Sequence, residues 1–162
     1  MVGSVKVCSN SSKASLLFPT NISALSSATT LFTMDHEYLH YPPSPSTLVT
    51  IGITSYAAST LGELVYIELP GVNSTIYAGE SLGTVESVKS ASEIMAPVTG
   101  VVKEINPKLA NSPGFLNAGN AEDVGERGGW ICKVDVEEGK GEVVEGLMDG
   151  EKYEAYKSGE VH

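Results

Sequence analysis

Short segments rich in β-branched residues, separated by glycine and proline turn signals, occupy the chain from residue 48 to residue 134. Turn signals recur about every eight to twelve residues, which is typical of a small β-sandwich or a flattened barrel. In one segment Val65, Ile67 and Leu69 alternate with other side chains, so they are expected to share one face of a strand. The predicted strands are residues 48–53, 64–69, 81–88, 92–96, 101–105 and 130–134.

Helices are expected only at the margins of this β region. Thr54 can cap a brief helix that Gly62 ends, and the Asn-Pro pair at positions 106 and 107 opens a second one. The acidic tail, residues 142–157, is helical in pattern, with glycines that split it and Asp149 as the cap of its second half. Residues 42–46 are rich in proline and predict a turn or an exposed loop.

The first 34 residues differ in composition from the rest. They contain Lys6 and Lys13 but no acidic residue, so they carry +2 of the total charge of −10 and leave −12 on residues 35–162. They also hold eight Ser and four Thr, a profile typical of an organelle transit peptide, although a disordered tail with no targeting role is the alternative. We predict a leader over residues 1–32 and one domain over residues 33–162.

Several classes of function are disfavoured by the charge and by the few reactive side chains. A net charge of −10 argues against a nucleic-acid partner, because phosphate binding needs a surplus of Lys and Arg. The uncharged stretch at residues 14–34 is too rich in polar residues for a membrane span. Cys132 is expected to be a buried structural thiol, and His36 and His40 have no third metal ligand in the pattern. No catalytic triad is indicated.

Lys89 lies at the expected tip of a hairpin, between small neighbours. Small flanking residues leave a long side chain accessible to a modifying enzyme, although most exposed lysines only aid solubility. The surrounding segment, residues 83–100, runs GTVESVKSASEIMAPVTG and resembles the lipoyl-attachment segment of the glycine cleavage H-protein family. The Glu-Ser-Val-Lys run separates this family from acyltransferase lipoyl domains, which typically have Asp-Lys-Ala, and from biotin carriers, which have Met-Lys-Met.

The resemblance extends over about residues 35–157. His36-Glu37-Tyr38 is similar to the family's His-Glu-Trp, and further matches follow in the family's order: Gly52-Ile53-Thr54, Leu61-Gly62-Glu63, Val65–Pro70, Asn106, Pro113-Gly114, Leu116-Asn117 and Gly129-Trp130. It implies a mainly β fold, a flattened β-barrel sandwich of the lipoyl/biotinyl type with short flanking helices and a C-terminal helical segment.

The resemblance implies a carrier protein and not an enzyme. Lipoic acid would be joined to Lys89 through an amide by a lipoyl-attaching enzyme. The arm would take an aminomethyl group from a pyridoxal-phosphate glycine decarboxylase to a tetrahydrofolate-dependent aminomethyltransferase. As dihydrolipoamide it would then pass electrons to dihydrolipoamide dehydrogenase.

The resemblance also implies three contacts for the loaded arm. Glu37 of the His-Glu-aromatic motif is the first, Glu93, four residues past Lys89, is the second, and Asp35 is the third. Without the resemblance, Glu37 would be interpreted as a surface charge and Glu93 as a solvated hairpin residue. The proline-rich residues 42–46 lengthen the interval after the motif and could displace Glu37.

Two other functions stay open at this level. One is a lipoyl relay donor for 2-oxoacid dehydrogenases, and the other is a scaffold module that keeps the fold without lipoylation. The family's usual location favours the mitochondrion, with a plastid as the alternative for a leader that is rich in Ser and Thr and has no Arg.

Overall fold

Two antiparallel sheets make up the framework of the part of the chain that the structure describes. The computed structural model describes residues 27–43, 45–118, 129–136 and 142–159. The strands are β1 Thr29–Phe32, β2 Glu37–Tyr41, β3 Leu48–Ile53, β4 Leu64–Ile67, β5 Thr75–Ile76, β6 Ser81–Ser87, β7 Ala91–Met95, β8 Gly100–Ile105 and β9 Trp130–Asp135. The larger sheet has the order β1-β2-β3-β9-β8-β5, and the smaller one has the order β4-β6-β7.

Both sheets contribute side chains to one apolar core, so the predicted mainly β sandwich is confirmed. β-branched and leucine side chains alternate inward along the strands, as the period of two requires. Core residues from the larger sheet include Leu39, Val49, Ile51, Val102 and Val134, and those from the smaller sheet include Leu64, Val85 and Ile94.

Within the described ranges, four short helices flank the sheets: α1 Ser55–Leu61, α2 Pro107–Asn111, α3 Phe115–Ala118 and α4 Gly150–Lys157. The predicted caps are confirmed. The Thr54 hydroxyl accepts a hydrogen bond from the backbone N–H of Ala57, and the carboxylate of Asp149 accepts one from Lys152. Asn106 caps α2 in the same way. No helix in the described ranges is long and apolar enough to cross a membrane.

The strand predicted at residues 64–69 is shorter than expected and has a different face. It ends at Ile67, and a β-bulge between Leu64 and Tyr66 breaks the alternation. Val65 is therefore 53% exposed whereas Ile67 is 7% exposed, so the prediction of one face shared by Val65, Ile67 and Leu69 was wrong.

The predicted start of the domain at residue 33 is too late. β1 lies within residues 1–32 and pairs along its whole length with β2. Leu31 is 4% exposed and Phe32 is 8% exposed, so both side chains belong to the folded domain. A four-residue strand bordered by polar residues has too little periodicity to be recognised in a Ser/Thr-rich sequence. Residues 1–26, on which the transit-peptide expectation rests, lie outside the described residues.

The tail was expected to be helical from residue 142, but only its second half is. Val143 forms an isolated β-bridge with Val98, and Met148 forms another with Phe32. The backbones of Phe32 and Met148 exchange two hydrogen bonds of 2.8 Å. Pairing with backbone from two other parts of the domain thus replaces the first half of the predicted helix.

Candidate functional site

The hairpin between β6 and β7 carries Lys89 at its tip, as predicted. Hydrogen bonds between Ser87 and Ser90 close the turn: the Ser87 backbone N–H donates to the Ser90 carbonyl over 2.7 Å, and the Ser90 N–H donates to the Ser87 hydroxyl over 3.0 Å. Lys89 is exposed, and Val88 beside it is 75% exposed. These hydrogen bonds close the turn, and Lys89 lies exposed at its tip.

The tip rests on the turn that joins α1 to β4. The Val88 N–H donates to the Glu63 carbonyl over 3.2 Å. Gly62 has a φ of 83°, and a Cβ atom at this position would lie 3.3 Å from Cε of Lys89. Glycine therefore serves two purposes here, because it permits the left-handed backbone and leaves room for the lysine stem.

The side chain of Asn117, in the short helix α3, also binds the backbone of that turn. Its amide donates to the carbonyls of Gly62 over 2.8 Å and Ala58 over 3.0 Å, and its side-chain oxygen accepts from the Leu64 N–H over 3.0 Å. The sequence resemblance includes Asn117 but implies no role for it. Because its partners lie more than 50 positions away, spacing gives no signal for this role.

A cleft of about 140 Å³ opens where the edge strand β7 meets the turn between β1 and β2. None of the described residues that line it is basic. The lining residues are Thr33, Met34, Asp35, Glu37, Gly79, Met95, Ala96, Pro97, Val144 and Glu145. An acidic cleft of this size suits a small cationic group with apolar contacts around it.

Glu37 is the buried carboxylate of this cleft, with an exposed fraction of 2%. One carboxylate oxygen accepts a hydrogen bond from the backbone N–H of Met95 over 3.1 Å, and the other accepts from the Thr33 hydroxyl. Burial raises the pKa of Glu37, and these two hydrogen bonds oppose that rise. Glu37 keeps its place in β2 opposite Ile53, so the proline-rich residues 42–46 do not displace it from the cleft.

The other two predicted arm contacts lie in different positions. Asp35 lines the same cleft as Glu37, so the structure brings these two together. Glu93 is exposed on β7, opposite Thr84 and outside the cleft lining. It shares a strand face with Met95, two residues on, and therefore lies between the Lys89 tip and the cleft. Glu145, from the C-terminal segment, also lines the cleft and was not among the predicted contacts.

Aromatic side chains of helix α4 contact β1 and the turn between β1 and β2, which supplies part of the cleft lining. The Tyr153 hydroxyl lies 2.9 Å from Nδ1 of His36 and 2.8 Å from the Thr54 hydroxyl. Its ring stacks on Phe32, with 4.4 Å between ring centroids, and the Tyr156 hydroxyl donates to the Met34 carbonyl over 3.1 Å. Burial lowers the pKa of His36, which favours the neutral imidazole in this network.

The remaining candidates have structural roles. Cys132 is fully buried, and burial raises the pKa of its thiol to about 12, which leaves it unreactive as expected. Nδ1 of His40 lies 2.9 Å from the Thr30 hydroxyl. Within the described ranges no group of three or more His, Cys, Asp or Glu side chains could hold a metal ion.

Comparisons with known proteins agree with the resemblance. A family model described as glycine cleavage H-protein matches residues 30–160. The mitochondrial glycine cleavage system H protein of Saccharomyces cerevisiae is 45% identical over 124 residues, which cover 76% of the chain and 69% of that protein. Glycine cleavage system H protein 3 of Arabidopsis thaliana, also named mitochondrial, is 41% identical over 133 residues, 80% of the chain and 75% of that protein. The Vibrio cholerae glycine cleavage system H protein is 43% identical over 122 residues, 75% of the chain and 90% of that protein.

A solved structure has the same architecture. The crystal structure of a glycine cleavage system H protein from Mycobacterium marinum superposes with a TM-score of 0.65 and 34% sequence identity. The match covers 81% of this chain and 97% of that one.

Proposed function

The chain belongs to the glycine cleavage H-protein family and is a lipoyl carrier of the glycine cleavage system, and from this premise we propose that Lys89 is its lipoylated residue. The observation that carries the proposal is the exposed lysine at a serine-closed hairpin tip, inside the Glu-Ser-Val-Lys segment. Lys89 is exposed, and its stem has room over Gly62. Both features suit a lysine that an enzyme must acylate.

The position of Lys89 at the end of the hairpin also suits the attachment of a mobile lipoyl arm. When attached, lipoyl supplies a dithiolane that can take up a carbon unit and, as a dithiol, be reoxidised with two electrons. Acylation removes the charge of Lys89, and the tip presents the stem at the end of a two-stranded projection. The protein is then a co-substrate that presents cargo to separate enzymes.

The acidic cleft is proposed as the shelter of the loaded arm. The aminomethyl cargo has an amine that is cationic near neutral pH, and a hydrogen bond between charged groups contributes about 1.5–3 kcal/mol. Glu37 would accept from this amine, with Asp35 in the same cleft and Glu93 on the path from Lys89 along β7. The uncharged oxidised arm gains nothing from these carboxylates, so only the loaded arm is expected to dock.

We further propose that the partners are the glycine decarboxylase, the aminomethyltransferase, dihydrolipoamide dehydrogenase and a lipoyl-attaching enzyme, and that the protein works in the mitochondrion. Relatives from yeast and Arabidopsis that are named mitochondrial support this location, together with the Ser/Thr-rich leader.

The attachment site is tested by intact mass after co-expression with a lipoyl-attaching enzyme. The parent protein should gain the mass of one lipoyl group, and Lys89→Arg should gain none, because a guanidinium keeps the charge but offers no amine that can be acylated. Lys103→Arg, at another exposed lysine on β8, is the matched control and should be modified like the parent. Lipoyl mass on Lys89→Arg would assign the modification elsewhere, and no gain on the parent would favour the scaffold function.

A further inference from the structure

Thr33 and Glu37 form a reciprocal pair of side-chain hydrogen bonds at the wall of the cleft. The Thr33 hydroxyl donates to one carboxylate oxygen of Glu37, and the same hydroxyl oxygen accepts from the Glu37 backbone N–H over 3.1 Å. Both residues are buried, with exposed fractions of 6% for Thr33 and 2% for Glu37. A single hydroxyl therefore contacts this residue at its backbone and at its functional group.

The turn itself does not need this hydroxyl. The Thr33 N–H donates to the Glu37 carbonyl over 2.9 Å, and the His36 N–H donates to the Thr33 carbonyl over 3.3 Å. These backbone bonds close the turn between β1 and β2 for any side chain at position 33. The hydroxyl adds a hydrogen bond to one oxygen of the Glu37 carboxylate, whose other oxygen accepts from the Met95 N–H.

We propose that Thr33 is a positioning residue for the carrier function: its hydroxyl orients the Glu37 carboxylate toward the cleft and stabilises its ionised form, which is the form that would bind the cationic end of the cargo. The inference rests on the proposed sheltering role of Glu37. Asp35 and Glu145 line the same cleft, so every charge that faces Glu37 from the described lining is negative and favours its protonation. Burial acts in the same direction. An uncharged hydrogen-bond donor such as the Thr33 hydroxyl opposes both effects, burial and the neighbouring negative charges, without blocking the cleft.

The first test is a titration that requires no cargo. NMR would follow the Glu37 side-chain carboxyl in the unlipoylated protein from acid to neutral pH. Thr33→Val keeps the shape but removes the donor, so the Glu37 pKa should rise by about 1 unit, a tenfold change in the ionisation equilibrium. Thr33→Ser retains the hydroxyl and should restore the parent value. Thr50→Val, at a threonine of equal burial outside the cleft lining, is the matched control and should leave Glu37 unchanged.

The second test measures how fast the isolated loaded protein loses its aminomethyl group. Thr33→Val should hasten the loss several-fold, Thr33→Ser should not, and Glu37→Gln sets the limit for complete loss of the carboxylate. Should Thr33→Val fail to fold, Thr33→Ala removes the hydroxyl without placing a second methyl group beside the carboxylate.

The two readouts separate failure of this inference from failure of the proposed function. A faster loss in Glu37→Gln combined with an unshifted Glu37 titration in Thr33→Val would overturn the role of Thr33. An unchanged loss rate in Glu37→Gln would overturn the sheltering role of Glu37 and the inference with it, and a shifted titration in Thr33→Val would then show that the hydrogen bond exists but serves no cargo.

Discussion

Lys89 is exposed to solvent and Glu37 is buried, and each environment suits the role proposed for that residue. Lys89 is exposed at a hairpin tip, where an enzyme can reach it. Glu37 is almost fully buried, so its charge is not screened by water and interacts strongly with a cation that enters the cleft. Burial disfavours the charged form of Glu37, so its pKa is raised although two hydrogen bonds to the carboxylate oppose this rise.

This raised pKa predicts a specific dependence of stability on pH. Above pH 4.5, the ordinary pKa of a glutamate side chain, the unfolded chain releases the Glu37 proton, whereas the folded protein still holds it. The native state thus binds more protons in this window, and the contribution of Glu37 to the free energy of unfolding falls as pH rises through the folded-state pKa. Glu37→Gln should remove that decline.

The measurement is urea unfolding of both proteins at several pH values between about 4 and 8. The difference in unfolding free energy, parent minus Glu37→Gln, isolates this one group from the other carboxylates and should become less favourable to the parent with rising pH. A difference that grows with pH would mean that the folded-state pKa of Glu37 is lowered.

The sequence predicted the Lys89 tip, and the resemblance implied Glu37 as an arm contact, but neither predicted the contacts that hold Glu37. The tip is local, since small residues on both sides of Lys89 favour a tight turn. The Met95 N–H that binds Glu37 lies 58 positions away, and it is available only because β7 is the edge of its sheet. Such a partner is determined by the packing of two sheets, which no local pattern records.

At the scale of elements, the two ends of the domain support each other. β1 supplies Phe32, which stacks on Tyr153 of α4 and exchanges backbone hydrogen bonds with Met148. The turn that follows β1 carries Asp35 and leads into Glu37. The caps of α1, α2 and α4 were predictable, because Asx and Thr residues at helix starts act locally. The pairing of the tail with β1 was not, because it joins residues more than 100 positions apart.

A truncated chain tests the corrected boundary. A protein beginning at Ser27 should have the melting temperature of the full chain, whereas one beginning at Thr33 loses all of β1. Leu31 and Phe32 are nearly fully buried, and removing two such side chains costs about 3–6 kcal/mol of burial energy. The melting temperature should fall by about 10 °C or more, as measured by calorimetry or circular dichroism. Equal melting temperatures for all three chains would mean that β1 contributes little to the core.

At the scale of the whole molecule, the cleft lies where four parts of the chain meet. The turn after β1 with the start of β2, the turn before β6, the end of β7 and the C-terminal segment each supply part of its lining. Turn spacing in the sequence predicted a mainly β sandwich, and β-branched segments between turn signals predicted most strands. Apart from the hairpin that carries Lys89, these signals do not show which strands pair. The small strand β5 and the bulged β4 show where tertiary packing overrides local pattern.

The net charge acts on the molecule as a whole and predicts how it meets its enzymes. Residues 35–162 carry −12, so partner surfaces that receive the Lys89 tip are expected to be basic, and attraction at long range should speed encounter. Raising ionic strength from about 0.01 M to 0.15 M shortens the screening length from about 30 Å to about 8 Å. The apparent KM of dihydrolipoamide dehydrogenase for the lipoylated protein should therefore rise several-fold, with little change in kcat, because encounter weakens and the chemistry does not. Free lipoamide is the matched control, since it carries no net charge and its KM should hardly respond to salt. If the carrier and free lipoamide respond alike, apolar contacts around the exposed Val88 and Tyr66, and not the acidic surface, would govern docking.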